Sequence, residues 1–153
     1  LCRASTLGLK LEAHFAETGS GGYMPGNESC VYVPDVAVFW AKGLNWLVPA
    51  IPCAVVAAAL RDVGGDSGAL RRKVRSVLVT AAAHGHRRFV LGAWGCGAFG
   101  NDPALVAAAF RDEVRAAAAR GDVEHVVFAM GDSGAGRRNA ALFREVFGLP
   151  AHG

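Results

Sequence analysis

The chain has few of the features that mark disordered, membrane-spanning or metal-built proteins. Charged residues make up only 19% of its 153 positions while 52% are apolar. An average domain is roughly 25% charged, so neither a disordered chain nor a solvated coiled coil fits. No apolar run reaches the roughly 18 residues of a spanning helix, because Asn45, Arg61, Arg71 to Lys73, Arg87 and Arg88 interrupt the apolar stretches; no membrane association is expected. The four cysteines, Cys2, Cys30, Cys53 and Cys96, form no C-x-x-C pair. That argues against a zinc ribbon or redox dithiol and for reduced thiols in a cytoplasmic protein. The net charge of +3, from 16 basic and 13 acidic residues, is too small and scattered for direct nucleic-acid binding, though it suits a small anionic ligand. The opening Leu1-Cys2-Arg3-Ala4-Ser5-Thr6 carries no targeting pattern and reads as the interior of a longer protein.

What remains is one domain's worth of chain, 1–153, without repeats or linkers. Leu1, Ala4, Leu7, Leu11 and Phe15 recur at helical spacing, which predicts a helix already under way at the first residue and closing at Gly19. Cys30 to Val33 and Val36 to Phe39 are two short β-rich runs, separated by Pro34 at an edge or a bend. Ile51 to Leu60 suits a strand buried on both faces, although its alanines leave a helix open. Leu70, Val74, Val77, Leu78 and Ala81 mark an amphipathic helix ending at Gly85. Phe89 to Ala93 and His125 to Met130 read as strands. A helix capped by Asp102-Pro103 lies between them, with Val106, Phe110, Val114 and Ala117 on one face, and a last helix ends at Gly148. This alternation predicts an α/β fold with a mostly parallel or mixed sheet and helices on both faces.

The chemistry is expected in Gly92-Ala93-Trp94-Gly95-Cys96-Gly97-Ala98-Phe99-Gly100-Asn101. Its glycines let the backbone approach a ligand closely and point successive amides into one concavity suited to phosphate oxygens. The N-terminus of the helix from Pro103 is expected to add its positive dipole end. Gly95 to Gly100 also satisfies G-x-G-x-x-G after a strand, so a nicotinamide or flavin dinucleotide site stays open. Asn101, Asp102 and Pro103 nevertheless delay the helix beyond the place that fingerprint requires.

The stretch Leu91 to Pro103 resembles the signature of the microbial-type poly(ADP-ribose) glycohydrolases, a branch of the three-layer macrodomain fold. Leu1 to Leu7, Val31-Tyr32-Val33-Pro34-Asp35-Val36, Ala82-Ala83-His84-Gly85, Asn139 and Phe143 agree with it. The resemblance implies that Gly95, Cys96, Gly97, Ala98, Phe99, Gly100 and Asn101 bind ADP-ribose or poly(ADP-ribose), with the loop on the diphosphate and Phe99 against a ribose. It implies no cofactor and no metal. In the family a second glycine-rich loop and a Gln-Glu-Glu triplet precede the segment matching Leu1-Cys2-Arg3, and they are absent here. The chain therefore reads as the C-terminal portion of a macrodomain, with no catalytic residue of its own and an exposed sheet edge that favours self-association. Ala58-Ala59-Leu60 departs from the proline and polar residue usual in relatives.

Other fragments have plainer readings beside functional ones. Gly131-Asp132-Ser133-Gly134 and Gly65-Asp66-Ser67-Gly68 copy a serine-protease tetrad but suit turns. His84 and His86 suit a helix end better than a metal pair. Arg71, Arg72, Lys73 and Arg75 read as a solvated face, and Cys96 as a small loop residue rather than a nucleophile. The adjacent acids Asp112 and Glu113 are expected to face solvent. Three functions stay open: hydrolysis of ribose–ribose O-glycosidic bonds by the complete protein, ADP-ribose binding without turnover, and dinucleotide-dependent redox chemistry.

Overall fold

The computed structural model describes residues 5–19, 29–38, 51–58, 66–97 and 99–150. Along the chain run α1 (Leu7–Thr18), β1 (Cys30–Val38), β2 (Ile51–Ala58), α2 (Ser67–Ala83), β3 (Arg88–Leu91), α3 (Pro103–Ala119), β4 (His125–Phe128) and α4 (Gly134–Phe147). Among the described residues the strands form an antiparallel pair, β1–β2, and a parallel pair, β3–β4. The fold is thus mixed α/β. Parallel pairing, expected of most of the sheet, is seen in β3–β4, whereas β1 and β2 run antiparallel, as in a mixed sheet.

The first helix starts at Leu7, after Ser5 and Thr6. Ser5 bridges to Val38 and the Thr6 amide donates to the Ala37 carbonyl at 3.0 Å, so these two residues are tied to β1. Gly19 closes α1 at φ +64°, as its sequence position predicts. Leu1, Ala4, Phe39 and the departure at Ala59-Leu60 lie outside the described residues.

The two β-rich runs around Pro34 are a single strand with a bulge. Val33 pairs with Val55 and Val36 with Cys53, so β1 carries one residue more than β2 across this step. Asp35 absorbs it at φ +52°, in a region that aspartate tolerates better than most residues. The extra residue keeps apolar side chains on one face: Val31 and Val33 before the bulge and Val36 and Val38 after it all pack with Leu7 and Leu11 of α1. On the other face Cys30 Sγ lies 3.2 Å from Thr80 Oγ1 of α2, and Tyr32 stacks on His84 with ring centroids 3.7 Å apart. Helices therefore cover both faces of this pair. Cys53 to Ala58 of β2 are half-buried rather than fully enclosed.

Helix α2 starts where Asp66 accepts from the Gly68 and Ala69 amides and buries Leu70, Val74, Val77, Leu78 and Ala81, as the periodicity predicts. Lys73 is buried as well, which corrects its assignment to a solvated face. It stands three residues after Leu70, so the helical period carries it inward with its charge. Burial lowers its pKa.

The larger core lies among α2, α3, α4 and the inner side of β3–β4. Phe89, Leu91, Val126 and Phe128 face it; Phe110 and Phe143 are buried. Phe110 and Phe128 meet edge to face at 5.3 Å, and Phe128 and Phe143 at 5.1 Å. Burying such a ring stabilises the fold by about 1.5–3 kcal/mol. The opposite side of the parallel pair is open: Val90 and Val127, opposite one another in the register, are 76% and 45% exposed. No helix among the described residues is long and apolar enough to cross a membrane.

Candidate functional site

Strands β3 and β4 end side by side, with Leu91 opposite Phe128 and the Ala129 amide donating to the Leu91 carbonyl at 2.7 Å. Ligands of open α/β sheets bind in the crevice beyond such carboxyl ends. Two loops leave from there, the glycine-rich 92–102 and the turn 129–133.

The glycine-rich loop folds back on itself. Cys96 N–H donates to Ala93 O at 3.2 Å, Gly100 N–H to Gly97 O at 3.1 Å and Asn101 N–H to Gly95 O at 2.9 Å. Asn101 Nδ2 also donates to Trp94 O at 3.2 Å. Gly95 sits at φ +68°, where a Cβ would lie 2.2 Å from Asn101 Nδ2, so no other residue fits there without displacing Asn101. At the tip, Gly97 and Phe99 are exposed, and among the described residues their amides meet no acceptor. Ala98 lies outside the described residues.

Asp102 Oδ1 accepts from the Ala104 amide at 2.8 Å, and Pro103 has no N–H to offer. The carboxylate thus caps the first turn of α3. Gly100, at φ +65°, precedes α3 by three residues instead of packing within it, as the dinucleotide fingerprint requires. Cys96 is half-buried with its thiol pushed up to about 11, chiefly by desolvation and then by the charge of Asp102. A thiol so disposed stays protonated and is no nucleophile at neutral pH.

The neighbouring turn leads from β4 into α4. Ser133 Oγ accepts from the Gly136 amide at 3.1 Å, so the hydroxyl caps α4 instead of serving a triad. A Cβ on Gly136 would lie 1.9 Å from the Gly131 carbonyl oxygen; that glycine lets the first turn of α4 close onto the crevice. Its signal was available in sequence, as a glycine inside a helical pattern. Asp66 likewise caps α2 in the other tetrad.

Away from the crevice, His84 ends α2 with Nδ1 2.9 Å from Thr80 O, and His86 Nε2 lies 2.8 Å from Tyr32 Oη. No group of three or more metal-binding side chains occurs among the described residues. The acids Asp112 and Glu113 do not both face solvent. Glu113 is buried and takes Arg75 on both oxygens, at 2.8 and 3.0 Å, while Asp112 pairs with Arg111 and Arg71. The Arg111 hydrogen bond, opposed in part by desolvation, holds the Asp112 carboxyl below its ordinary pKa. The basic cluster of α2 is thus partly consumed in pinning α2 to α3.

A mixed α/β fold with helices over both faces of β1–β2 and a glycine-rich loop at the carboxyl ends of parallel strands is macrodomain-like. No family model matches the chain, and no curated protein matches it significantly. Among solved structures, it is similar to the poly(ADP-ribose) glycohydrolase of Deinococcus radiodurans in complex with ADP-ribose. The two share 30% identity at a TM-score of 0.78, over 97% of this chain and 66% of that one. It is also similar to the Thermomonospora curvata poly(ADP-ribose) glycohydrolase bound to the inhibitor ADP-HPD, at 34% identity and a TM-score of 0.72, over 95% of this chain and 60% of that one. The chain belongs to the poly(ADP-ribose) glycohydrolase family. It spans 66% and 60% of the length of these two structures, less than two thirds of either.

Proposed function

We propose that the chain recognises ADP-ribose through the loop Gly95 to Asn101 and that the complete protein hydrolyses ribose–ribose O-glycosidic bonds of poly(ADP-ribose). The observation that carries this reading is a glycine-rich loop whose exposed Gly97 and Phe99 amides meet no acceptor among the described residues, at the carboxyl ends of two parallel strands. Such amides suit diphosphate oxygens, since they are fixed dipoles that need no reorganisation when an anion arrives. Exposed Phe99 offers an aromatic face to a ribose beside the diphosphate. The ADP-ribose and ADP-HPD complexes of the two similar enzymes support the choice of ligand.

Cleavage requires a carboxylic acid to protonate the leaving ribose oxygen while water adds at the anomeric carbon. Asp112 and Glu113 are unsuited, because both are engaged by arginine partners that tie α3 to its neighbours. The family resemblance assigns this acid to the Gln-Glu-Glu segment. A non-catalytic ADP-ribose-binding module keeps every other part of the reading. The oxidoreductase alternative is weakened by the position of Gly100 outside α3.

A thermal-shift comparison of ADP-ribose, NAD, FAD and AMP tests recognition, with ADP-ribose expected to stabilise most; stabilisation by NAD or FAD alone would reject it. Release of ADP-ribose from labelled polymer then separates enzyme from binding module.

A further inference from the structure

We propose that Asn101 is a positioning residue, which braces the loop Gly95 to Gly100 in its ligand-ready shape without touching the ligand. The inference rests on the diphosphate reading of that loop. Asn101 spends both its backbone and side-chain N–H groups inward, on the carbonyls of two consecutive residues, Gly95 at 2.9 Å and Trp94 at 3.2 Å. These bonds close the loop at its base, while Gly97 and Phe99 between them are exposed.

The brace is tied to rigid parts at both ends. Trp94 packs against Phe110 in the core, and Asp102, the next residue after Asn101, caps α3. A carboxamide is required because the partner is a carbonyl oxygen, to which a carboxylate offers no donor. Gly95 is the matching half. Its missing side chain leaves the space that the Asn101 amide fills, since a Cβ there would lie 2.2 Å from Nδ2 and 2.9 Å from Cγ. Asn101 and Gly95 therefore form one device, and a loop held in this way binds without first being ordered.

The test is a double-mutant cycle in the full natural chain, with Asn101→Ala, Gly95→Ala and the pair, read by calorimetry with ADP-ribose. Each single variant is expected to weaken binding about tenfold, the value of one positioning hydrogen bond. The pair should lose little more than either alone, because both break the same brace. Losses that multiply to about a hundredfold would overturn the proposal and return Asn101 to the contact surface. Hydrogen exchange in the ligand-free protein gives an independent reading: the amides of Cys96 and Asn101 should exchange faster in both single variants, and unchanged exchange would likewise overturn it. Should wild-type protein fail to bind ADP-ribose, the functional reading falls, and exchange alone still decides whether Asn101 braces the loop. Should Asn101→Ala fail to fold, Gly95→Ala reads the same contact with Asn101 present.

Discussion

Trp94 meets Phe110 edge to face, ring centroids 4.8 Å apart and planes at 73°. The indole thus fixes the base of the glycine-rich loop to a phenylalanine with no solvent exposure, while the loop tip stays open to solvent. Substitutions at the tip should therefore alter binding without touching stability.

Gly97→Asp makes the cleanest case. A Cβ at this position meets nothing within 4 Å, so the variant folds, yet it brings a carboxylate to the proposed diphosphate site. Charge repulsion and the blocked backbone approach should abolish ADP-ribose binding by calorimetry. Unchanged affinity in a folded variant would remove this loop from the site.

Phe99→Ala should reduce turnover of the complete enzyme more than ligand affinity. The ring is 53% exposed and its loss leaves the core intact, while orienting a ribose matters most in the transition state. Steady-state kinetics would show kcat falling with little change in KM; a change in KM alone contradicts the assignment.

Gly136→Ala should be strongly destabilising, by about 3 kcal/mol or more. Its Cβ would meet the Gly131 carbonyl oxygen, a backbone atom that cannot swing aside. Urea denaturation measures this, and a loss below about 1 kcal/mol would mean that α4 relaxes away from the crevice.

Asp112→Asn should lower the melting temperature by about 2 °C at neutral pH, as for a partly exposed ion pair. Because arginine partners depress the folded-state pKa of Asp112, its stabilisation is complete above the unfolded value of about 4 and is lost as pH falls through the lower folded value. The melting curves of wild type and variant should converge in acid and separate above it. A constant gap across that range would assign the effect to something other than the carboxylate charge.

The outer face of β3–β4 should promote self-association of the 153-residue chain. Parallel strands are normally covered on both sides, and here Val90 and Val127 sit paired and exposed. Val90→Lys is expected to shift sedimentation toward monomer. Wild-type chain that is monomeric at its highest soluble concentration would refute this.

What could be read in sequence depended on how local the governing interaction was. The α3 start at Asp102-Pro103, the Gly19 and Gly148 ends and the inward faces of α2 and α3 follow from caps and from the helical period, which act within a turn or two. Glu113, three residues after Phe110 and four before Ala117, is on the inward line of α3 by the same period. A carboxylate there needs the Arg75 partner, 38 residues away on another helix, which no local pattern shows. Lys73 obeyed the period, and its three basic neighbours drew it to the wrong face. The glycine-rich loop was located from its composition, but the Asn101 amide turning back to Trp94 is a tertiary detail that no spacing encodes. The pairing of β1 with β2 escaped for the opposite reason, since the alanines and valines of 54–58 suit either element.

The bulge at Pro34-Asp35 makes β1 two half-strands of opposite parity: odd-numbered residues face α1 before it and even-numbered residues after it. Substitutions on either side preserve this framing, whereas loss of one residue there would exchange the faces of everything upstream, turning Val31 and Val33 toward α2 and Cys30 and Tyr32 toward α1. Any alignment that slides a gap through Cys30–Val38 therefore changes which residues are compared as interior, and Asp35 is the position at which such gaps belong.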